Sequence, residues 1–222
     1  MKDKIVTFGE IMLRLSPENN ARFTQCNAFE AVYGGGEANT AVSLANFDVD
    51  ANYVTKLPKH IIGQAAINSL RQYGVGVDHI VRGGDQIGIY FLEKKTSQRP
   101  TNVIYNRAGS AFALATADDF NWDEIFDGAT WFHFSGITPA ISDEMTNICI
   151  TACQKAKEKG MTVSCDLNYR SKLWSSEKAC EAMSRICQYV DVCIANEDDA
   201  IGIFSMNCLL YTSPSPRDLS TS

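Results

Sequence analysis

Gly34-Gly35-Gly36-Glu37-Ala38-Asn39 stands between a strand-like segment and the first well-patterned helix of the chain. Backbone without Cβ and the free N–H groups of a helix start let a polar ligand approach closely there, although the same run also suits a plain tight turn. The usual glycine patterns for nucleotides fail in detail. The first strand leads into Gly9-Glu10-Ile11-Met12-Leu13-Arg14 without GxGxxG, and no GxxxxGK[ST] occurs anywhere. Two residues tempt as general bases. His133 alternates with Phe132 and Phe134 in a strand of buried character and reads as a core histidine, whereas Asp166 ends a strand, where α/β sites form. Tyr90 and Tyr105 fall on two hairpin strands, where each phenol either packs a small sheet or offers a ligand an apolar wall with one hydrogen bond.

The elements that must position these residues alternate between two kinds of apolar run, as in a parallel sheet covered by helices. Strands are expected at Ile5 to Phe8, Ala51 to Leu57, Thr130 to Phe134, Met161 to Asp166 and Tyr189 to Ala195. Helices are expected at Glu37 to Phe47, Ile61 to Tyr73, Ser142 to Lys159 and Glu177 to Tyr189, with Ser142 and Ser175 as N-caps ahead of acidic first turns. From Gly88 to Arg107 the texture changes: Ile89 to Glu93 and Thr101 to Tyr105 read as a hairpin closed around Ser97-Gln98-Arg99-Pro100. With Met12 to Leu15 and Phe23 to Val32 it forms a small extra sheet, a candidate lid.

The 222 residues are 45% hydrophobic, enough to bury one sizeable core. A formal net charge of −6 without long Lys/Arg runs excludes nucleic acid and anionic membrane surfaces as expected partners. Eight scattered cysteines without a CxxC pair read mostly as reduced core residues. A start that runs straight into Ile5-Val6-Thr7-Phe8 predicts a cytoplasmic protein. After Phe204 the pattern lapses, and Cys208 to Asp218 resembles the translation of a transposase-type sequencing adapter. Residues 205–222 are therefore expected to be a disordered, artefactual tail on a truncated natural protein.

Gly34 to Ala41 followed by Val42-Ser43-Leu44-Ala45 resembles the first signature of ribokinase-like (PfkB-type) carbohydrate kinases. Gly9 to Leu15, Tyr105-Asn106-Arg107-Ala108-Gly109-Ser110-Ala111, Phe134 to Ala140 and Asp166-Leu167-Asn168-Tyr169-Arg170 narrow the resemblance to the 2-keto-3-deoxygluconate kinase branch. It implies a Rossmann-type sheet flanked by helices over residues 1–204, with lid segments at about 10–33 and 87–107. It also implies a homo-oligomeric parent that transfers the γ-phosphoryl group of ATP, with Mg2+, to the 6-hydroxyl of a small sugar acid. By the resemblance, Gly35, Asn39, Tyr90, Tyr105, Arg107, Ile137 and Arg170 bind the sugar, while Asn168, Arg170, Asn196 and Asp199 serve the nucleotide. The two arginines fit the branch chemically, because the guanidinium fork suits a carboxylate beside a keto group; surface ion pairing is their alternative use.

The sequence departs from the family pattern at several points. The general base of the family lies in a Gly-Ala-Gly-Asp motif that is absent from the sequence, so the chain itself is expected to be inactive. The family's N-x-x-E element ends here on the shorter Asp199, and Asp48 stands where relatives carry glycine after a helix. Two other readings remain: a kinase for fructose or another neutral sugar, against which Arg14, Arg107 and Arg170 weigh, and a non-catalytic sugar-binding fragment.

Overall fold

The computed structural model describes residues 3–205. The chain opens with β1 (Lys4–Phe8), β2 (Met12–Pro17), β3 (Phe29–Gly34), α1 (Gly36–Asn46), β4 (Asp50–Val54), β5 (Lys56–Leu57) and α2 (Ile61–Arg71). β6 (Val81–Arg82), β7 (Ile89–Glu93), β8 (Asn102–Asn106), α3 (Trp122–Ile125), β9 (Trp131–Ser135) and α4 (Ile137–Ala140) follow. α5 (Asp143–Glu158), β10 (Thr162–Asp166), α6 (Ser176–Ile186), β11 (Val192–Ile194) and α7 (Glu197–Phe204) complete it.

Five strands form an all-parallel sheet in the order β11-β10-β9-β1-β4. Its register sets Phe8 beside Val54 and Phe134, so the carboxyl ends of β1, β4 and β9 lie level. Both faces are covered at β1, β9 and β10, as a parallel sheet requires, while the edge strand β11 is exposed. Val6 and Phe8 pack with Phe112, Phe120, Trp122, Phe132 and Phe134 against α5 and α6. Thr7 points the other way, toward α1, where Ile11, Tyr53, Leu57, Ile67 and Leu70 make a second core. The Phe8 ring lies 5.1 to 5.3 Å from those of Phe112, Phe120 and Trp122. Each such burial is worth roughly 1.5–3 kcal/mol.

A second, four-stranded sheet of order β3-β2-β7-β8 stands on the first. β2 pairs antiparallel with β3 and β7 with β8, while β2 and β7 run parallel. Its strands leave and re-enter the main body next to the carboxyl end of β1. No helix among the described residues is long and apolar enough to cross a membrane.

The α/β expectation holds, as do both serine caps: Ser142 Oγ accepts from the Met145 N–H at 3.1 Å and Ser175 Oγ from the Lys178 N–H at 3.3 Å. Asp48 adopts φ 60°, the left-handed turn that glycine would favour. Several details differ. The run Ala51 to Leu57 breaks at Thr55, because Lys56–Leu57 turns away to pair with Val81–Arg82. The strand expected from Tyr189 begins only at Val192, since Cys187–Tyr189 winds one 3-10 turn on the end of α6. The segment Phe23 to Val32 is extended only from Phe29 on. Of the seven described cysteines, all free, Cys149, Cys153 and Cys165 are buried, but Cys26, Cys180 and Cys187 are half-buried and Cys193 is exposed. The adapter-like stretch from Cys208 lies outside the described residues.

Candidate functional site

A cavity of about 470 Å³ opens at the carboxyl ends of β1, β9 and β10, beneath the second sheet. Ligand sites of α/β sheets form at this edge because the strands end there and helix N-termini begin. Glu10 follows β1, Gly35 and Gly36 start α1, Ile137 follows β9, and Tyr169 to Leu173 follow β10; Met12, Val103 and Tyr105 come from the second sheet, and Arg107 just beyond it.

The glycines permit the floor. A methyl group on Gly35 would overlap the Glu10 carbonyl oxygen, and one on Gly136 would overlap the carbonyl of Leu167. Gly35 is extended (φ −173°), so its requirement is space rather than an unusual backbone. It lets the α1 N-terminus sit directly on the end of β1.

Two buried glutamates meet at this junction. Glu37 is 3% exposed; its Oε1 accepts from Ser135 Oγ at 2.5 Å, from the Ser135 N–H at 3.0 Å and from Thr138 Oγ1 at 3.3 Å. Burial raises its carboxyl above the ordinary glutamate range, against the pull of those donors. Glu10, 5% exposed, accepts from Ser110 Oγ at 2.5 Å and pairs with the Arg107 guanidinium. Burial raises its carboxyl too, opposed first by the Arg107 charge and then by Ser110. The Nε of Arg107 is buried with no hydrogen-bond acceptor among the described residues. Tyr53 closes the floor, donating to the Gly9 carbonyl at 2.8 Å.

Of the residues expected to hold the sugar, the structure gathers Gly35, Tyr105, Arg107, Ile137 and Arg170 around this one cavity. Tyr90 lies behind the wall, its ring 5.8 Å from that of Tyr105 on the paired strand. Asn39 points elsewhere, lining a separate cavity of about 490 Å³ between β3, α1 and α2. It sits one turn into the helix, on the face turned away from Glu37. The nucleotide expectations fall at the ends of β10 and β11. Asn196 Oδ1 caps α7, accepting from the Asp199 N–H at 2.7 Å, and Asp199 Oδ1 accepts from the Tyr169 N–H at 2.9 Å. Asn168 takes the left-handed φ 37° that turns the chain between them. Burial, and then the nearby Asp199, raise the Asp166 carboxyl. No group of three or more His, Cys, Asp or Glu suited to a metal ion occurs among the described residues. Asn196 and Asp199 each spend one side-chain oxygen on holding this turn. His133 is buried and its Nδ1 lies 2.9 Å from Ser164 Oγ, with its pKa lowered by burial: the core histidine expected.

Sequence reasoning passed over Glu10, Glu37 and Lys172. Glu10 stands just after the first strand, and Glu37 opens the helix expected from Glu37 to Phe47, but neither position marks its carboxylate as buried. Arg170 and Lys172 form no ion pair among the described residues. Because Arg107 is matched by Glu10, these two cations give the cavity mouth its attraction for anions.

The chain thus presents a parallel α/β sheet with a cavity at its strand ends, floored by glycine backbone, roofed by a second sheet and bordered by Arg107 and Arg170. Residues 2–208 match the family model described as pfkB family carbohydrate kinase, and the chain belongs to that family. It is 38% identical over 93% of its length to 2-dehydro-3-deoxygalactonokinase of Haloferax volcanii and 28% identical over 80% to 2-dehydro-3-deoxygluconokinase of Bacillus subtilis. The crystal structure of 2-dehydro-3-deoxygluconokinase from Thermotoga maritima superposes with a TM-score of 0.90 at 53% identity over 92% of the chain. The chain spans 65%, 55% and 63% of those three proteins, respectively.

Proposed function

We propose that the intact protein is a cytoplasmic, homo-oligomeric kinase that phosphorylates 2-keto-3-deoxygluconate (2-dehydro-3-deoxygluconate) with ATP, and that this chain carries its sugar-acid site. The carrying observation is the convergence of Arg107, Arg170, Tyr105 and Gly35 on one cavity. Arg170, exposed and unpaired among the described residues, suits the substrate carboxylate. The phenol of Tyr105 and the backbone at Gly35 suit its hydroxyls, and Ile137 supplies an apolar wall. The second sheet acts as a lid that excludes water from the cavity. ATP supplies the phosphoryl group, and Asn168, Arg170, Asn196 and Asp199 border its side of the site. Mg2+ would enter with the nucleotide, held mainly by its phosphates, and no step is routed through it.

A neutral-sugar kinase needs hydroxyl acceptors, and Glu10 is one at the cavity floor. It is already engaged by Arg107 and Ser110, and Arg170 and Lys172 leave the mouth cationic, which favours the acid. Calorimetric titration of the 222-residue chain tests the reading. 2-Keto-3-deoxygluconate should bind about tenfold or more tighter than fructose, the effect of about 1.4 kcal/mol from one charged contact. Sugar-dependent ADP release should stay at background, since the sequence holds no Gly-Ala-Gly-Asp base motif. Equal affinities, or tighter binding of fructose, would favour the neutral-sugar kinase.

A further inference from the structure

Glu10 does not stand among the residues through which the proposed site would touch a sugar, yet the cavity is built around it. It is the first side chain past β1, at the point where the chain leaves the main sheet for the second one. Its carboxylate is 3% exposed and serves two donors from a single loop: Ser110 Oγ at 2.5 Å and the guanidinium of Arg107. Neighbouring backbone packs closely against it. A methyl on Gly88, which leads into β7, would strike Glu10 Oε1, and a methyl on Gly35 would strike its carbonyl oxygen. The Glu10 carboxylate is therefore held by the segment after β8 and backed by the entry to β7, while its backbone is held against the α1 N-terminus.

Arg107 is clamped less completely. Its side chain is 10% exposed, Nη2 is spent on Glu10 and Nε is buried without an acceptor among the described residues, which leaves Nη1 as the nitrogen that can face the cavity the residue borders. A long cationic side chain has several rotamers of similar energy, and holding it in one is unfavourable in entropy unless something fixes the fork. A buried carboxylate with its own second donor provides that fixed point, as outer-shell carboxylates do for other binding groups.

We propose that Glu10 is a positioning residue: with Ser110 it fixes one end of the Arg107 guanidinium so that the other end is presented to a ligand oxygen. Because Ser110, Arg107 and Gly88 border the strands of the second sheet, the same contact ties the aim of Arg107 to the seating of that sheet. This rests on the sugar-acid reading for the ligand but not for the geometry.

Electrostatics alone makes the opposite forecast. Removing a negative charge from a cavity that binds an anion should tighten binding, whereas removing a positioning contact should weaken it. Glu10→Gln keeps the shape and separates the two. In the 222-residue chain, calorimetry should show 2-keto-3-deoxygluconate bound about tenfold more weakly by Glu10→Gln, the scale of a lost charged contact. In an Arg107→Ala background the same substitution should change affinity less than about twofold, the non-additivity expected of residues that act through one another. Nitrogen-15 NMR of the free chain supplies a readout independent of ligand: the Arg107 Nε–H signal should exchange with solvent markedly faster in Glu10→Gln than in wild type. Should Glu10→Gln fail to fold, Ser110→Ala, which removes only the second donor, should move both readouts in the same direction by less. Unchanged or tighter binding, an equal loss in both backgrounds, or an unaltered Arg107 signal would overturn the proposal. If wild type binds no sugar acid while the Arg107 signal still depends on Glu10, the proposed substrate falls and the positioning role stands.

Discussion

At the scale of single residues, the two buried glutamates differ in what neutralises them, and this has consequences in pH. Glu10 faces a guanidinium; Glu37 has only neutral donors, Ser135 and Thr138. Burial raises the Glu37 carboxyl, so the folded state holds its proton at pH values where the unfolded state has lost it. Stability from this group is complete below the unfolded value of about 4.3 and falls as pH rises through the raised folded value. Glu37→Gln, which can still accept from Ser135, removes that slope. The melting temperature of Glu37→Gln should therefore gain on wild type between about pH 5 and about pH 8; a gap that stays constant or widens against the variant would refute the assignment. Which residues mattered was only partly legible beforehand. Arg107, Arg170, Tyr105 and Gly35 carry side-chain chemistry or motif context that sequence displays. Glu10 and Glu37 matter through what surrounds them, and an acidic residue in a chain with 26 of them says nothing about burial. Asn39 shows the converse: its place in a motif was plain, but one turn of helix sets it toward a different cavity.

At the scale of elements, apolar period and cap chemistry located the helices to within a few residues, because both are local. Ser142 is the clearest instance. It caps α5, whose Met145, Ile148, Cys149, Ala152, Cys153 and Ala156 form one buried stripe, with Asp143 and Glu144 in the first turn and Lys155 and Lys157 in the last. Ser142→Ala should lower stability by about 1 kcal/mol, a drop of roughly 2–4 °C in melting temperature for a chain of this size. An unchanged melting curve would mean that the helix start is fixed by packing instead. Strand ends were less legible, since they depend on partners. Lys56–Leu57 continues the apolar run of β4 without interruption, and only its pairing with Val81–Arg82 assigns it to another sheet. α7 went unforeseen because its opening Glu197-Asp198-Asp199 was read as ligand chemistry; the structure uses Asn196 as its cap and Asp199 as the hold on Tyr169.

At the scale of the whole molecule, two sheets meet at the carboxyl end of β1, and that meeting makes the cavity. The main sheet contributes fixed backbone and the α1 N-terminus; the second sheet contributes Tyr105 and leads directly into Arg107, so the site exists only when both are seated. The parallel sheet itself was foreseeable, since strand-like and helix-like runs alternate along the chain. The depth of the cavity and the pairing of Arg107 were not, because both arise from contacts across about 100 residues, Glu10 to Ser110 being separated by that distance in sequence. In the proposed function the cavity recognises a sugar acid by its carboxylate, and Arg170, like Lys172, borders it without an ion pair among the described residues. The direct measurement is a pair of calorimetric titrations comparing wild type with Arg170→Ala, one with 2-keto-3-deoxygluconate and one with fructose. Loss of a charged hydrogen-bonding partner should weaken binding of the acid by about tenfold or more and leave fructose within about twofold. An equal loss for both sugars, or no loss for the acid, would contradict it.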